Sequence, residues 1–221
     1  MSFKASKGNS NTQFAPKKNI APGTYPARLV QLIDYGLQSQ KPYQGKDKPP
    51  AQEIGLTYEL VDEFMKDEKG NDIPNKPRWI SETFVYHPLI ADKAKSTQRY
   101  LAFDPTEAWE GDFSQALGKP INVTIVNNHA GDKVYDNVAT ISAMRPRDAD
   151  NCPPLVNDVL LFGLDEPNLE VFNKFPKWIK EKIQGNLNFN GSPLQKLLGE
   201  QPKEVPKEEA KQEKKADNSP Y

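Results

Sequence analysis

One cysteine, Cys152, excludes an internal disulfide, and with only His87 and His129 beside it no Cys/His set can close a four-ligand structural zinc site. Glycine-rich phosphate cradles are missing: there is neither a P-loop nor a dinucleotide fingerprint. Apolar runs long enough to span a bilayer, about 18–20 residues, do not occur. The first residues also lack the apolar stretch of a secretory leader. A soluble, cytosolic chain is therefore expected. Charge of one sign is lacking as well. The formal net charge of −1 argues against bulk attraction to polyanions but leaves local patches open.

Catalytic groupings are equally sparse. Asp62 beside Glu63, and Asp67 beside Glu68, read as solvated acids in a charged loop. His87 precedes Pro88 with no Ser or Cys partner in sight, and His129 falls in a hairpin tip. The sequence predicts no enzyme, no cofactor and no metal.

What is present is an ordered series of strand-like runs. Thr24–Leu37 is rich in β-branched and aromatic residues, with Gly36 marking a bulge or sharp bend. Ile54, Leu56, Tyr58 and Leu60 alternate with Glu53, Gly55, Thr57 and Glu59, which predicts a second strand with one wet face. Lys66–Lys76, with Gly70-Asn71 and Pro74, reads as a turn or exposed loop and Arg78–Tyr86 as a third strand. Ala91–Phe103 carries a helical stripe of Ala94, Thr97, Tyr100 and Leu101, with Lys93, Lys95 and Arg99 off it. Ile121–Asn127 and Lys133–Met144 complete five strands, joined by a hairpin at Asn128–Asp132. The expected class is mainly β: a five-stranded OB-fold Greek-key barrel with a helix between strands three and four.

Four segments follow. Residues 1–19, with Lys4, Lys7, Lys17 and Lys18 and no acid, read as a flexible basic arm, and 20–147 as the barrel. Residues 148–199 form a partly helical extension, too small for a large core of its own and expected to dock. Its helices are predicted over Leu169–Gln184, broken at Pro176, and after Ser192-Pro193. The mixed Lys/Glu run of 200–221 is expected to be disordered.

A barrel of this kind can hold a single nucleic-acid strand when bases stack on aromatic rings and Lys or Arg meets phosphate. The candidates are Tyr25, Arg28 and Tyr35 of the first strand and the loop residues Lys46 and Lys48, which share their loop with Lys41 and Tyr43. Further along come Lys76, Arg78, Trp79, Tyr86, Lys133 and Tyr135. Arg28 and the loop lysines read as exposed. Trp79, Tyr58, Phe84 and Tyr86 could each serve the core instead. Arg78 and Trp79 point to opposite faces of a regular strand, so both line one groove only if a bulge intervenes.

The stretches GTYPARLVQLIDYGLQ, LTYELVDEF and KPRWISETFVYHP, then the helix, then LDEPNLEVFNKFPKWIKEKIQGNLNF, resemble OB-fold single-stranded-DNA-binding proteins of tailed bacteriophages over roughly residues 20–198. The resemblance implies coating of single-stranded DNA with little sequence choice during replication or recombination, without catalysis, in the cytoplasm of the infected host. Asp217, Pro220 and Tyr221 are similar to the acidic, Pro-aromatic tip through which bacterial single-strand binders recruit replication partners. The run before this tip departs from that pattern, being mixed Lys/Glu rather than acidic. The other reading kept open is a structural or protein-interaction phage protein that uses the barrel as a scaffold.

Overall fold

The computed structural model describes residues 18–199; the arm before Lys18 and the tail with Asp217, Pro220 and Tyr221 lie outside the described residues. Five long strands form one antiparallel sheet: β1 (Gly23–Gln38), β2 (Ala51–Lys66), β3 (Asp72–Val85), β4 (Pro120–Ala130) and β5 (Lys133–Ser142). Their order is β3-β2-β1-β4-β5. The sheet curls because β1 changes partner along its length. Its first half pairs with β4 (Gly23 with Ile125 through Arg28 with Pro120) and its second half with β2 (Ala27 with Leu60 through Gln38 with Ala51). Register shifts at Leu29/Gln31 and Asp34/Gly36 bend the strand between these tasks. Gly36 has φ +78°, and a Cβ there would lie 2.7 Å from Leu164 and 2.9 Å from the Asn186 Cβ. The predicted bend is thus also a close approach that only glycine fits.

The curl brings β3 near β5 without a backbone ladder between them. Side chains span the gap. Arg99 of α1 (Lys95–Phe103) donates to both carboxylate oxygens of Glu82 on β3, at 2.9 and 3.1 Å, and to the Ala139 carbonyl on β5 at 3.2 Å. Further along, Arg78 on β3 lies 3.7 Å from Asp136 on β5. The result is a curled antiparallel half-barrel. Its interior is filled by Leu29, Leu56, Tyr58, Leu60, Ile121, Val123 and Ile125, with Tyr100 and Phe113 packed against them from α1 and the short 3-10 turn Phe113–Ala116.

Several expectations need correction. β2 has no wet face: Gly55, Thr57 and Glu59 are as buried as the apolar residues between them. Alternation reports which face repels water, but a second layer can still cover the polar side. The turn expected over Lys66–Lys76 is present but tighter, at 67–71: the strands run on to Lys66 and resume at Asp72. The β4–β5 hairpin likewise tightens to Gly131-Asp132. The helix is shorter than predicted, and Arg99, placed off its buried stripe, is only 3% exposed.

The covering layer is the extension. It opens with α2 (Pro146–Asp150), then β6 (Leu160–Phe162), which pairs parallel with Gln31–Ile33 of β1; neither element was expected from the sequence. Then come α3 (Leu169–Lys174), α4 (Lys177–Gln184) and α5 (Pro193–Leu197). The break at Pro176 and the Ser192 cap stand as predicted, the Ser192 hydroxyl accepting from the Gln195 amide. Phe162, Phe172, Phe175, Ile179, Ile183 and Leu194 form a second core with Ile33 and Tyr35 of β1. The extension closes this core only by packing onto Ile33 and Tyr35 of β1, which is the physical reason it docks.

Candidate nucleic-acid interface

Arg28, Tyr35, Arg78, Tyr25 and Tyr86 among the predicted cations and rings serve the fold. Arg28, expected exposed, is half-buried. It donates to the carbonyls of Gly118 (2.7 Å), Cys152 (2.8 Å) and Pro153 (2.7 Å), clamping the start of the extension to the barrel. Tyr35 is 3% exposed and belongs to the second core; burial pushes its phenol up. Gly55 faces it because a Cβ there would meet the ring at 2.7 Å. Arg78 is tied to Asp136 and donates to the Lys18 carbonyl at 2.6 Å. Tyr25 and Tyr86 are half-buried, their hydroxyls donating to the carbonyls of Ala21 (2.7 Å) and Gly111 (3.1 Å). Tyr58 and Phe84 are core.

The remaining candidates lie on the outside of β3, β5 and the β1–β2 loop. On β3 burial alternates: Ile80, Glu82 and Phe84 turn inward, while Trp79, Ser81 and Thr83 are exposed. Trp79 is 37% exposed and its indole N–H donates to Glu59 at 3.0 Å. Glu59 is itself only 1% exposed, and also accepts from the Val156 amide and the Asn157 side chain, each at 2.6 Å. One buried carboxylate with three donors therefore fixes both the Trp79 ring and the strap 156–157. On β5, Lys133 and Tyr135 are exposed, Tyr135 at 49%. Two of the acids on these stretches turn inward, Glu82 onto Arg99 and Lys95, and Asp136 onto Arg78, whereas Asp72 at the start of β3 and Asp47 on the loop are exposed. From Lys76 onward the outward residues of β3, and those of β5, carry no carboxylate.

At one end of β3 stand Lys76 and Lys133. At the other end, about 30 Å away by strand rise, the loop 39–50 joins β1 to β2 beside Glu53 and Val85. There Tyr43 is 60% exposed, with the Lys48 ammonium 4.7 Å from its ring centre. Tyr43, Lys41 and Lys48 line a cleft of about 500 Å³ together with Gln38, Gln40, Glu53 and Lys182. Lys46 is exposed on the same loop. Tyr43 and Lys41 were placed on this loop from the sequence but not counted as binding residues, although an aromatic among lysines in a polar loop is the compositional sign of a stacking site. A larger cleft of about 590 Å³ at the β2–β3 hairpin mixes Glu63, Asp67 and Glu68 with Lys18, Lys66, Lys69 and Arg78 over Phe64 and Met65. Its carboxylates make it the poorer seat for a polyanion.

Glu53 joins the first cleft to the extension, accepting from Lys182 at 2.6 Å and from Gln40 at 2.8 Å. Burial alone would push its carboxyl up, but those two hydrogen bonds and the Lys182 charge outweigh burial and hold it below the ordinary value. Because the folded state binds its proton less readily, the stabilisation is present above the ordinary carboxylate range and is lost as pH falls through the lowered value. Acidification from about pH 5 to pH 3 should therefore destabilise the wild type more than Glu53→Gln. Urea melts should show a difference below about 1 kcal/mol, since solvent reaches the pair. Equal acid sensitivity in the two proteins would remove Glu53 from this role.

No protein-family model and no curated protein matches the chain. Among the described residues no helix is long and apolar enough to cross a membrane, and no group of three or more His, Cys, Asp or Glu is placed to hold a metal ion.

Proposed function

We propose that this protein binds single-stranded DNA without catalysis and with little sequence choice. On this reading the curled sheet is an OB-type Greek-key barrel. Support comes from the strand-strand-strand-helix-strand-strand order, from β1 shared between β2 and β4, and from β3 lying against β5. The observation that carries the binding is the outer surface along β3 and β5. It offers Trp79, Tyr135 and neutral hydroxyls, has no outward carboxylate from Lys76 onward, and has Lys76 and Lys133 at one end and Lys41, Lys46, Lys48 and Tyr43 at the other. Rings supply sequence-tolerant stacking and lysines supply salt-sensitive phosphate contacts. The setting implied by the resemblance, phage replication or recombination in the host cytoplasm, belongs to the same proposal. So does recruitment of partner proteins through Asp217, Pro220 and Tyr221.

Titration of the full chain with dT oligomers at two salt concentrations tests the binding. Tryptophan fluorescence should be quenched, and affinity should fall as salt rises, with a log–log slope of about −0.7 per phosphate neutralised. Labelled DNA incubated with magnesium should remain intact. If neither fluorescence nor filter binding registers uptake at low salt, the scaffold reading takes its place. That second reading is favoured by two observations: the exposed lysines gather at the two ends of β3 instead of forming an unbroken row, and Val156, Val159 and Leu161 expose apolar surface on the extension.

A further inference from the structure

α4 carries an exposed tryptophan that the barrel does not need. Ile179 and Ile183 face the second core, yet Trp178 beside them is 55% exposed. Residues four apart on a helix share a face, which sets Trp178 one turn from Lys182. Lys182 lines the loop 39–50 cleft, with its ammonium 4.9 Å from the Tyr35 ring centre and 2.6 Å from Glu53. The cleft is therefore two-walled. One wall is the loop, with Tyr43 at 60% exposure beside Lys41 and Lys48. The other is α4, with Lys182 in the cleft and the exposed Trp178 one turn away on the same helical face. Glu53, the acid among the cleft's lining residues, is already matched by Lys182 and Gln40.

We propose that the extension is half of the single-strand site: the polynucleotide leaves the β3–β5 surface at the loop 39–50 cleft and crosses onto α4, where a base stacks on Trp178. This rests on the single-stranded-DNA reading and deepens it. One exposed ring lines a lysine-bearing cleft and a second stands one helical turn from its Lys182, an arrangement that suits alternating bases and phosphates. The docking interactions acquire a second role on this view. Lys182 to Glu53, the Gln38 side-chain amide to the Lys182 carbonyl (3.1 Å) and the Leu187 amide to the Leu37 carbonyl (2.8 Å) hold the end of α4 beside the start of the loop, so the two walls meet the strand preorganised.

The test uses the full chain, dT oligomers as the probe, and Trp178→Ala with Trp178→Phe. Because the side chain is exposed, both variants should melt like the wild type. Trp178→Ala should bind dT about 5- to 150-fold more weakly, the range expected for one stacked base. Trp178→Phe should keep most of the affinity but show a smaller absolute drop in tryptophan intensity, since the wild-type drop includes Trp178. A wild type that binds dT alongside a Trp178→Ala variant of equal affinity would overturn the α4 path and leave the barrel reading standing. No dT binding by the wild type would end both. Should Trp178→Ala fail to fold, the absolute quench decides: if the drop in intensity on saturation with dT is the same in the wild type and Trp178→Phe, Trp178 does not touch DNA.

Discussion

Arg99→Met should unfold with a loss of about 3–5 kcal/mol, the cost of stranding one partner of a buried ion pair. Arg99 and Glu82 are 3% and 8% exposed. Glu82 also accepts from the Tyr58 hydroxyl at 2.8 Å and meets Lys95 at 2.7 Å. Without the guanidinium, the carboxylate keeps one half-exposed lysine and one phenol, and the Ala139 carbonyl loses its donor. The seam between β3 and β5 has no backbone ladder, so Arg99 is a main tie across it. For a domain of this size the loss should lower Tm by about 6–20 °C. Arg99→Met combined with Glu82→Gln should recover part of it, because the neutral amide no longer needs a cation and still accepts from Tyr58. Urea melts of the wild type, both single variants and the double variant provide the check. A single Arg99→Met variant within about 1 kcal/mol of wild type would show that the seam does not depend on this pair.

The second large effect is on binding. Tyr43→Ala removes a ring that is 60% exposed and has Lys48 as its ring partner, so stability should change by less than about 0.5 kcal/mol. Affinity for dT should nevertheless fall by about 1–3 kcal/mol, or 5- to 150-fold, because one base loses its platform. Tyr43→Phe should bind nearly as the wild type does, since the face of the ring carries the interaction. Lys48→Gln should reduce the magnitude of the salt slope by about 0.7, as expected when one phosphate is no longer neutralised. Filter binding at several salt concentrations separates the two effects. If Tyr43→Ala binds dT as tightly as the wild type, the loop is no part of the site.

The elements were legible because each has a local cause. The strand runs carry period-two alternation or β-branched and aromatic composition. Gly36 reads as a bend because few other residues tolerate its conformation. Pro176 and Ser192 punctuate helices through a fixed φ and a side-chain cap. What failed were inferences that a charged or polar residue is exposed. Arg28, Arg78 and Arg99 have the same composition signal as Lys48, yet all three are turned onto backbone carbonyls or carboxylates brought from distant parts of the chain. Glu59 looked like part of a solvated strand face and is among the most buried side chains. A single strand's pattern cannot show these partners, since residues 152–157 reach β1 and β2 only after the chain has circled the sheet.

By itself, the sequence determined a mainly β body with one helix between the third and fourth strands, helices in the segment that follows, and a supply of rings and lysines. Tertiary structure alone decided which of those rings and cations face solvent. Curling the sheet and laying the extension over β1 and β2 consumed Arg28, Tyr35 and Arg78, and left Trp79, Tyr135, Tyr43 and the loop lysines outside. Alternation along a strand is a local property, whereas desolvation depends on what folds on top of it.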